Sequence, residues 1–127
     1  VIVLDTHAWI WWADNPRLLS KRARAAIDDA DAIGVSVSSC YEAARSVARG
    51  RLALLPDSRS WMTRALSIPR VELLDLTTRV AIAAADLDWT HGDPFDRIIV
   101  ATGMTWNAPV VSKDHRIRLF KPARAIW

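Results

Sequence analysis

Val1-Ile2-Val3-Leu4-Asp5 is an unbroken apolar run closed by a carboxylate. Four apolar residues without alternation suit a strand covered on both faces, the environment of a parallel sheet. Reading outward, residues 7–13 form a helical segment that Asp14-Asn15-Pro16 breaks. Across residues 16–30, Leu19, Ala23, Ala26, Ile27 and Ala30 make one apolar stripe, with Lys21, Arg22, Arg24, Asp28 and Asp29 opposite. Residues 33–37 read as a second strand, and Ser39-Cys40-Tyr41-Glu42 fits a capping box heading a helix that ends near Arg49-Gly50. Pro56-Asp57 opens a helix carrying Trp61, Met62, Ala65 and Leu66. A third strand spans residues 71–76, and Thr77 or Thr78 caps the helix after it.

The next stretch, His91-Gly92-Asp93-Pro94-Phe95-Asp96-Arg97-Ile98-Ile99-Val100-Ala101-Thr102, reads as the sharp start of a buried helix. Asp93 is the N-cap, Pro94 the first helical position and Asp96 the third. Pro109-Val110-Val111-Ser112 is a short fourth strand running into Lys113-Asp114, and residues 125–127 offer a last short strand. Strands alternating with helices give an α/β fold, a parallel sheet with helices on both faces, in a single domain over residues 1–127.

Composition bounds the function. Hydrophobic residues are 51% and charged residues 24%, which excludes a disordered chain. No apolar run approaches the ~18 residues of a membrane span. The chain opens directly on the first strand with no basic leader, and its single cysteine, Cys40, can form neither an internal disulfide nor a zinc cluster. The expectation is a reducing cytoplasm. The net charge of +3, with arginine outnumbering lysine 14 to 3, is compatible with a polyanionic partner without specifying one.

The acids carry the chemistry. In a parallel sheet all strand C-termini share one edge, and ligands bind outside it. Asp5 ends the first strand, Glu42 lies in the first turn of the helix after the second, and Asp114 follows the fourth. Asp96 joins them if its helix N-terminus also faces that edge. A carboxylate closing a buried strand, as Asp5 does, has fewer structural explanations than Glu42 in a capping box or Asp96 in a first helical turn. Asp93 reads as a cap rather than a ligand, and Asp114 equally well as a turn residue. Carboxylates gathered in one cleft repel unless a cation sits among them, and oxygen-only ligands select Mg²⁺ or Mn²⁺. Such a cleft on a basic protein points to phosphodiester hydrolysis.

Asp5-Thr6-His7, the Ser36 to Glu42 segment, Asp93-Pro94-Phe95-Asp96-Arg97 with its following apolar run, and Val111-Ser112-Lys113-Asp114 resemble, in order and over nearly the whole chain, the motifs of PIN-domain ribonucleases. Among them the chain is most similar to VapC-type toxins of bacterial type II toxin–antitoxin systems. The resemblance implies a three-layer α/β/α sandwich and a Mg²⁺-dependent endoribonuclease, with Mn²⁺ as a substitute, acting on structured RNA such as transfer or ribosomal RNA. It implies Asp5, Glu42 and Asp96 as the principal metal-site acids and Asp114 as a fourth acting through water. Thr6 and Ser112 would orient water or phosphate. It also implies a homodimer inhibited by a cognate antitoxin. Gly103 departs from the alanine-like residues usual there and is expected to loosen its helix by ~1 kcal/mol.

His7, His91 and His115 each neighbour a candidate acid and are taken as supporting groups rather than ligands. Arg97 is expected either to pair with a carboxylate or to reach toward phosphate. The segment from Ala8 to Ala13 is apolar on every side, and Trp11 and Trp12 point about 100° apart, so both should not enter one core. Their expected role is an interface that receives a partner helix, the antitoxin in the family reading. Arg45, Arg49 and Arg51 are candidates for RNA backbone contacts beside the reading of a solvated helix face. Two rivals remain: a PIN-type RNA-processing or flap nuclease without antitoxin, and a non-catalytic RNA-binding module on the same fold. A receiver-like phosphoacceptor domain fits less well, because Thr6-His7 follows Asp5 where paired acids are typical.

Overall fold

The computed structural model describes residues 1–127. Four strands, β1 (Ile2–Leu4), β2 (Ile33–Ser36), β3 (Val71–Leu74) and β4 (Val110–Val111), form one parallel sheet in the order β3-β2-β1-β4. Between and after them run α1 (Thr6–Asp14), α2 (Lys21–Asp29), α3 (Val37–Ala48), α4 (Ser58–Leu66), α5 (Thr78–Asp86), α6 (Pro94–Thr105) and α7 (His115–Leu119). No helix is long and apolar enough to cross a membrane.

The pleat divides the core. Ile2 and Leu4 point to one face of β1 and are joined there by Ile33, Val35 and Val111, under Trp9 of α1, Ile27 of α2, Ala43 of α3 and Trp61 of α4. Val3 and Val110 point to the other face and pack on Ile99 and Val100 of α6 and Ile117 of α7. Val80 and Ala84 of α5 close on Ala101 behind them. This is the expected three-layer sandwich. β1 and β4 are wholly apolar because both their faces are covered, whereas β3 at the sheet edge exposes Glu72 and Leu73.

The chain winds outward from β1 through β2 to β3, then returns across the sheet to place β4 on the other side of β1. The winding therefore reverses between β1 and β4, and a crevice opens there at the strand ends. The Asp5 N–H donates to the Val111 carbonyl at 3.0 Å, so the first residue past β1 is bonded to the end of β4.

Several local expectations change. The helix after β2 starts at Val37 with Ser36 as its N-cap, so Ser39 and Glu42 lie inside it and form no capping box. Ser36 can cap because its hydroxyl accepts from the Ser38 N–H at 3.2 Å. β3 ends at Leu74, two residues earlier than its apolar pattern suggests. The last strand is a single parallel bridge, Val111 to Ile126. A helical turn not anticipated from sequence, α7, follows β4.

Trp11 and Trp12 both pack, half-buried, against the core that holds Trp9. One core accommodates both because Trp127 returns to cover Trp11, with ring centroids 5.8 Å apart. Gly103 has a packing reason that its helix propensity does not show. A Cβ there would stand 2.9 Å from the Ala108 carbonyl oxygen and 2.8 Å from Val110 Cγ2, so glycine lets α6 turn tightly into β4.

Candidate active site

Asp5, Asp96 and Asp114 reach the crevice from the ends of regular elements, and Glu42 from inside α3. Asp5 is the N-cap of α1, its Oδ1 accepting from the Ala8 N–H at 2.8 Å. The carboxylate closing the first strand thus has a structural task after all, and the turn from β1 into α1 holds it at the strand end. Glu42 comes from the second turn of α3, where its carboxylate accepts from the Thr6 hydroxyl. That hydroxyl also lies 3.0 Å from Ser39 Oγ, so β1's exit and α3 are tied together beneath the acids.

Asp96 stands in the first turn of α6, which runs from this edge back to the start of β4. The helix therefore faces the crevice with its N-terminus, the orientation its sequence left open. Asp93 caps α6, Oδ1 accepting from the Asp96 N–H at 3.0 Å. Asp114 caps α7 through the Arg116 N–H at 2.8 Å, and its own N–H donates to Ser112 Oγ at 3.0 Å.

Asp5, Glu42, Asp93, Asp96 and Asp114 line one cleft of about 550 Å³, together with Thr6, His7, Trp11, Lys113 and Arg116. Topology read from sequence brings Asp5, Glu42 and Asp114 to this edge, the direction of α6 adds Asp96, and the two cations not anticipated are Lys113 and Arg116. They flank Asp114 in the run Lys113-Asp114-His115-Arg116, and the signal was a basic cluster immediately after a strand end. Ser112 is fully buried under the acids.

The electrostatics separate the four carboxylates. Burial pushes the Asp5 carboxyl above its ordinary range, against hydrogen bonds from the nearby Ser112 hydroxyl and the Ala8 N–H, while the charge of Asp96 adds to the rise. Burial also raises Glu42, opposed by the Thr6 hydrogen bond and reinforced by Asp96 and Asp93. Asp96 is raised in turn by burial and by repulsion from Asp93 and Asp114, with the His91 hydrogen bond opposing. Asp114 differs. Burial again acts upward, but the hydrogen bonds and charge of Arg116 outweigh it and leave the carboxyl below its usual range.

Three raised acids, each lifted by burial and by another acid's charge, are a site short of positive charge. The donor set consists of hard oxygens, which suits a divalent cation such as Mg²⁺ or Mn²⁺. No group of three or more His, Cys, Asp or Glu side chains stands close enough to grip one ion directly as arranged. Glu42 and Asp96 are each turned toward a protein partner, Thr6 and His91. Direct ligation needs one of them to swing inward, or water to fill the gap.

Arg97 neither pairs with a carboxylate nor reaches for phosphate. Its guanidinium donates to five backbone carbonyls, those of Ala84, Ala85, Leu87, Trp89 and His91, at 2.7–3.2 Å. A planar fork of five donors suits this gathering of carbonyls, and the loop it holds carries His91 to Asp96. His7 and His115 make no hydrogen bond to an acid, and His91 makes one, to Asp96, as a supporting group would.

The PIN domain family model matches residues 2–121. The chain is 32% identical over 126 residues to Ribonuclease VapC22 of Mycobacterium tuberculosis, covering 98% of this chain and 95% of that protein. Among solved structures it resembles VapBC2 of Rickettsia felis bound to a promoter DNA fragment, with a TM-score of 0.71 at 14% identity over 98% of this chain and 96% of that one. It also resembles FitAcB of Neisseria gonorrhoeae, with a TM-score of 0.63 at 21% identity over 98% and 94% of the two chains. The fold is shared with these solved structures, and by its family match and its 32% identical relative the chain belongs to the PIN-domain family, within it to the VapC type.

Proposed function

We propose that this protein is a divalent-metal-dependent endoribonuclease and the toxin of a toxin–antitoxin pair. The observation that carries the proposal is the meeting of Asp5, Glu42 and Asp96 from three separate elements in one cleft, each pushed toward protonation, with Lys113 and Arg116 at the rim. Asp5, Glu42 and Asp96 would hold Mg²⁺, or Mn²⁺ in its place, with Asp114 acting through water. When bound, the metal supplies Lewis-acid polarisation of the phosphoryl group and of water.

The chain's own groups do the rest. Arg116 and Lys113 draw the RNA backbone to a cleft whose acids would otherwise repel it. Thr6 holds Glu42 and His91 holds Asp96 at the edge of the cleft, so each carboxylate is oriented close to where a cation would sit. Ser112 holds the Asp114 N–H and faces Asp5 with its hydroxyl. Asp93 and Arg97 shape the α6 N-terminus and the loop before it and touch no substrate. The substrate is structured RNA of the transfer or ribosomal kind, chosen by shape and surface contacts rather than by the acids.

The relative at 32% identity is named a ribonuclease, and the solved neighbours include a toxin–antitoxin complex from Klebsiella pneumoniae, which supports a nuclease with an antitoxin partner. The parts of Trp11 and Trp12 that the core leaves exposed contribute to the antitoxin surface, and the working form is a homodimer in the cytoplasm. All four acids are in place, which disfavours the non-catalytic reading, and the toxin–antitoxin complexes among the solved neighbours favour a toxin over an RNA-processing nuclease.

The test is incubation of the purified chain with total cellular RNA and Mg²⁺, beside an Asp5→Asn variant and an EDTA control. Discrete cleavage abolished in both controls is expected. No cleavage by folded protein with Mg²⁺ or Mn²⁺ across several RNA pools would overturn the reading.

A further inference from the structure

A second hollow, of about 380 Å³, adjoins the acid cleft and is lined by Trp89, Thr90, His91, Arg116, Leu119 and Phe120. Nothing in the mechanism above uses it. Its volume falls within the range of small-ligand pockets. We propose that this hollow binds a nucleobase of the RNA strand next to the bond being cut; the assignment rests on the ribonuclease reading.

Three features support a base rather than another occupant. The wall is aromatic: Trp89 and Phe120 stack with centroids 4.7 Å apart and planes at 15°, and His91 meets Trp89 edge-on at 4.9 Å. Leu119, 68% exposed, adds an apolar side chain to the lining against which a flat ring can pack. Thr90, His91 and Arg116 also line the hollow and bring polar groups to it, which a purely apolar docking groove would not need.

The hollow is joined to the cleft by two residues. Arg116 lines both cavities. Its guanidinium, 3.3 Å from Asp114 and 60% exposed, is placed to hold the phosphate between a base in the hollow and the scissile position. The His91 ring forms part of the hollow's wall while its Nε2 bonds Asp96 in the cleft at 2.6 Å. A base seated here would therefore press on the residue that restrains a catalytic acid. Occupancy and cutting are linked, which makes the hollow a specificity determinant as well as an anchor.

Binding is measured in EDTA with the Asp5→Asn protein, so that no cleavage runs. The probes are a fluorescent single-stranded oligoribonucleotide of mixed sequence and an abasic chain of equal length and charge. Stacking predicts about ten-fold tighter binding of the base-bearing chain. Leu119→Gln, a neutral change at an exposed position, and Trp89→Leu should each remove most of that advantage and leave abasic binding unchanged. Thermal melting identifies any variant that fails to fold, and Leu119→Gln keeps the test decisive if Trp89→Leu does. Unaltered binding in Leu119→Gln, an equal loss for both probes, or no preference for bases in the parent would overturn the proposal. Failure of the nuclease reading shows separately, as absence of RNA cleavage by the native chain with Mg²⁺.

Discussion

His91 Nε2 and Asp96 Oδ2 stand 2.6 Å apart, joining the loop before α6 to the acid in that helix's first turn. Asp96 keeps 17% of its side chain exposed and His91 9%, so the bond is largely shielded from water. Asp96 is thereby aimed by a residue that faces away from the cleft. His91→Ala should lower kcat by roughly 10–100-fold, the usual cost of losing a group that orients a ligand. Single-turnover cleavage at saturating RNA measures it. Unchanged kcat would show that Asp96 needs no restraint.

The raised acids predict an inverted pH dependence in the metal-free protein. A carboxyl whose folded pKa exceeds its unfolded value gives stability fully present below the unfolded pKa and lost as pH rises through the folded one. Asp5, Glu42 and Asp96 are of this kind. Asp57 and Asp114 run the other way, stabilising above the ordinary carboxylate range and losing that contribution as pH falls through their lowered values. Asp5→Asn keeps an oxygen for the Ala8 N–H and removes one buried charge. In EDTA its melting temperature should exceed the parent's at pH 7.5, by roughly 3–6 °C for each 1 kcal/mol of relieved penalty. The difference should fade as pH drops toward about 4. Millimolar Mg²⁺ should reverse the order by stabilising the parent more. A parent that is the more stable form in EDTA at neutral pH would contradict this.

Arg97→Ala leaves five carbonyls without their donor. Urea denaturation should show a loss of about 3 kcal/mol, the scale of unmet buried hydrogen bonds. Lysine, a single compact cation with three donors, should recover only part of it. Full recovery by Arg97→Lys would mean that charge alone matters there.

Gly103→Ala tests the junction of α6 and β4. Alanine gains up to about 1 kcal/mol of helix propensity. The new methyl, however, meets a backbone oxygen at 2.9 Å that cannot rotate aside. A net loss of about 1–2 kcal/mol in thermal or urea melts is expected. A more stable variant would show that the junction can yield.

Apolar runs alternating with amphipathic stripes pointed to a parallel sheet covered by helices, because the first strand, buried on both faces, is apolar without alternation, although edge strand β3 exposes Glu72 and Leu73. Asp93 as the cap of α6 was legible for the same kind of reason, since capping is a contact within four residues. Ser39-x-x-Glu42 shows the limit of that logic. A local motif satisfied on paper was overruled when Ser36 capped first and Glu42 found Thr6, 36 positions away in sequence. Arg97 is a second case, its five carbonyl partners brought together by the fold of the loop preceding α6. Identity and spacing determined which acids the chain possesses and that Asp5, Glu42 and Asp114 share one edge. Whether Asp96 joins them, which cations balance them, and that a second hollow adjoins the cleft were decided by tertiary structure alone. Those depend on the direction in which α6 crosses the sheet and on the turn of α7, neither of which any short stretch of sequence encodes.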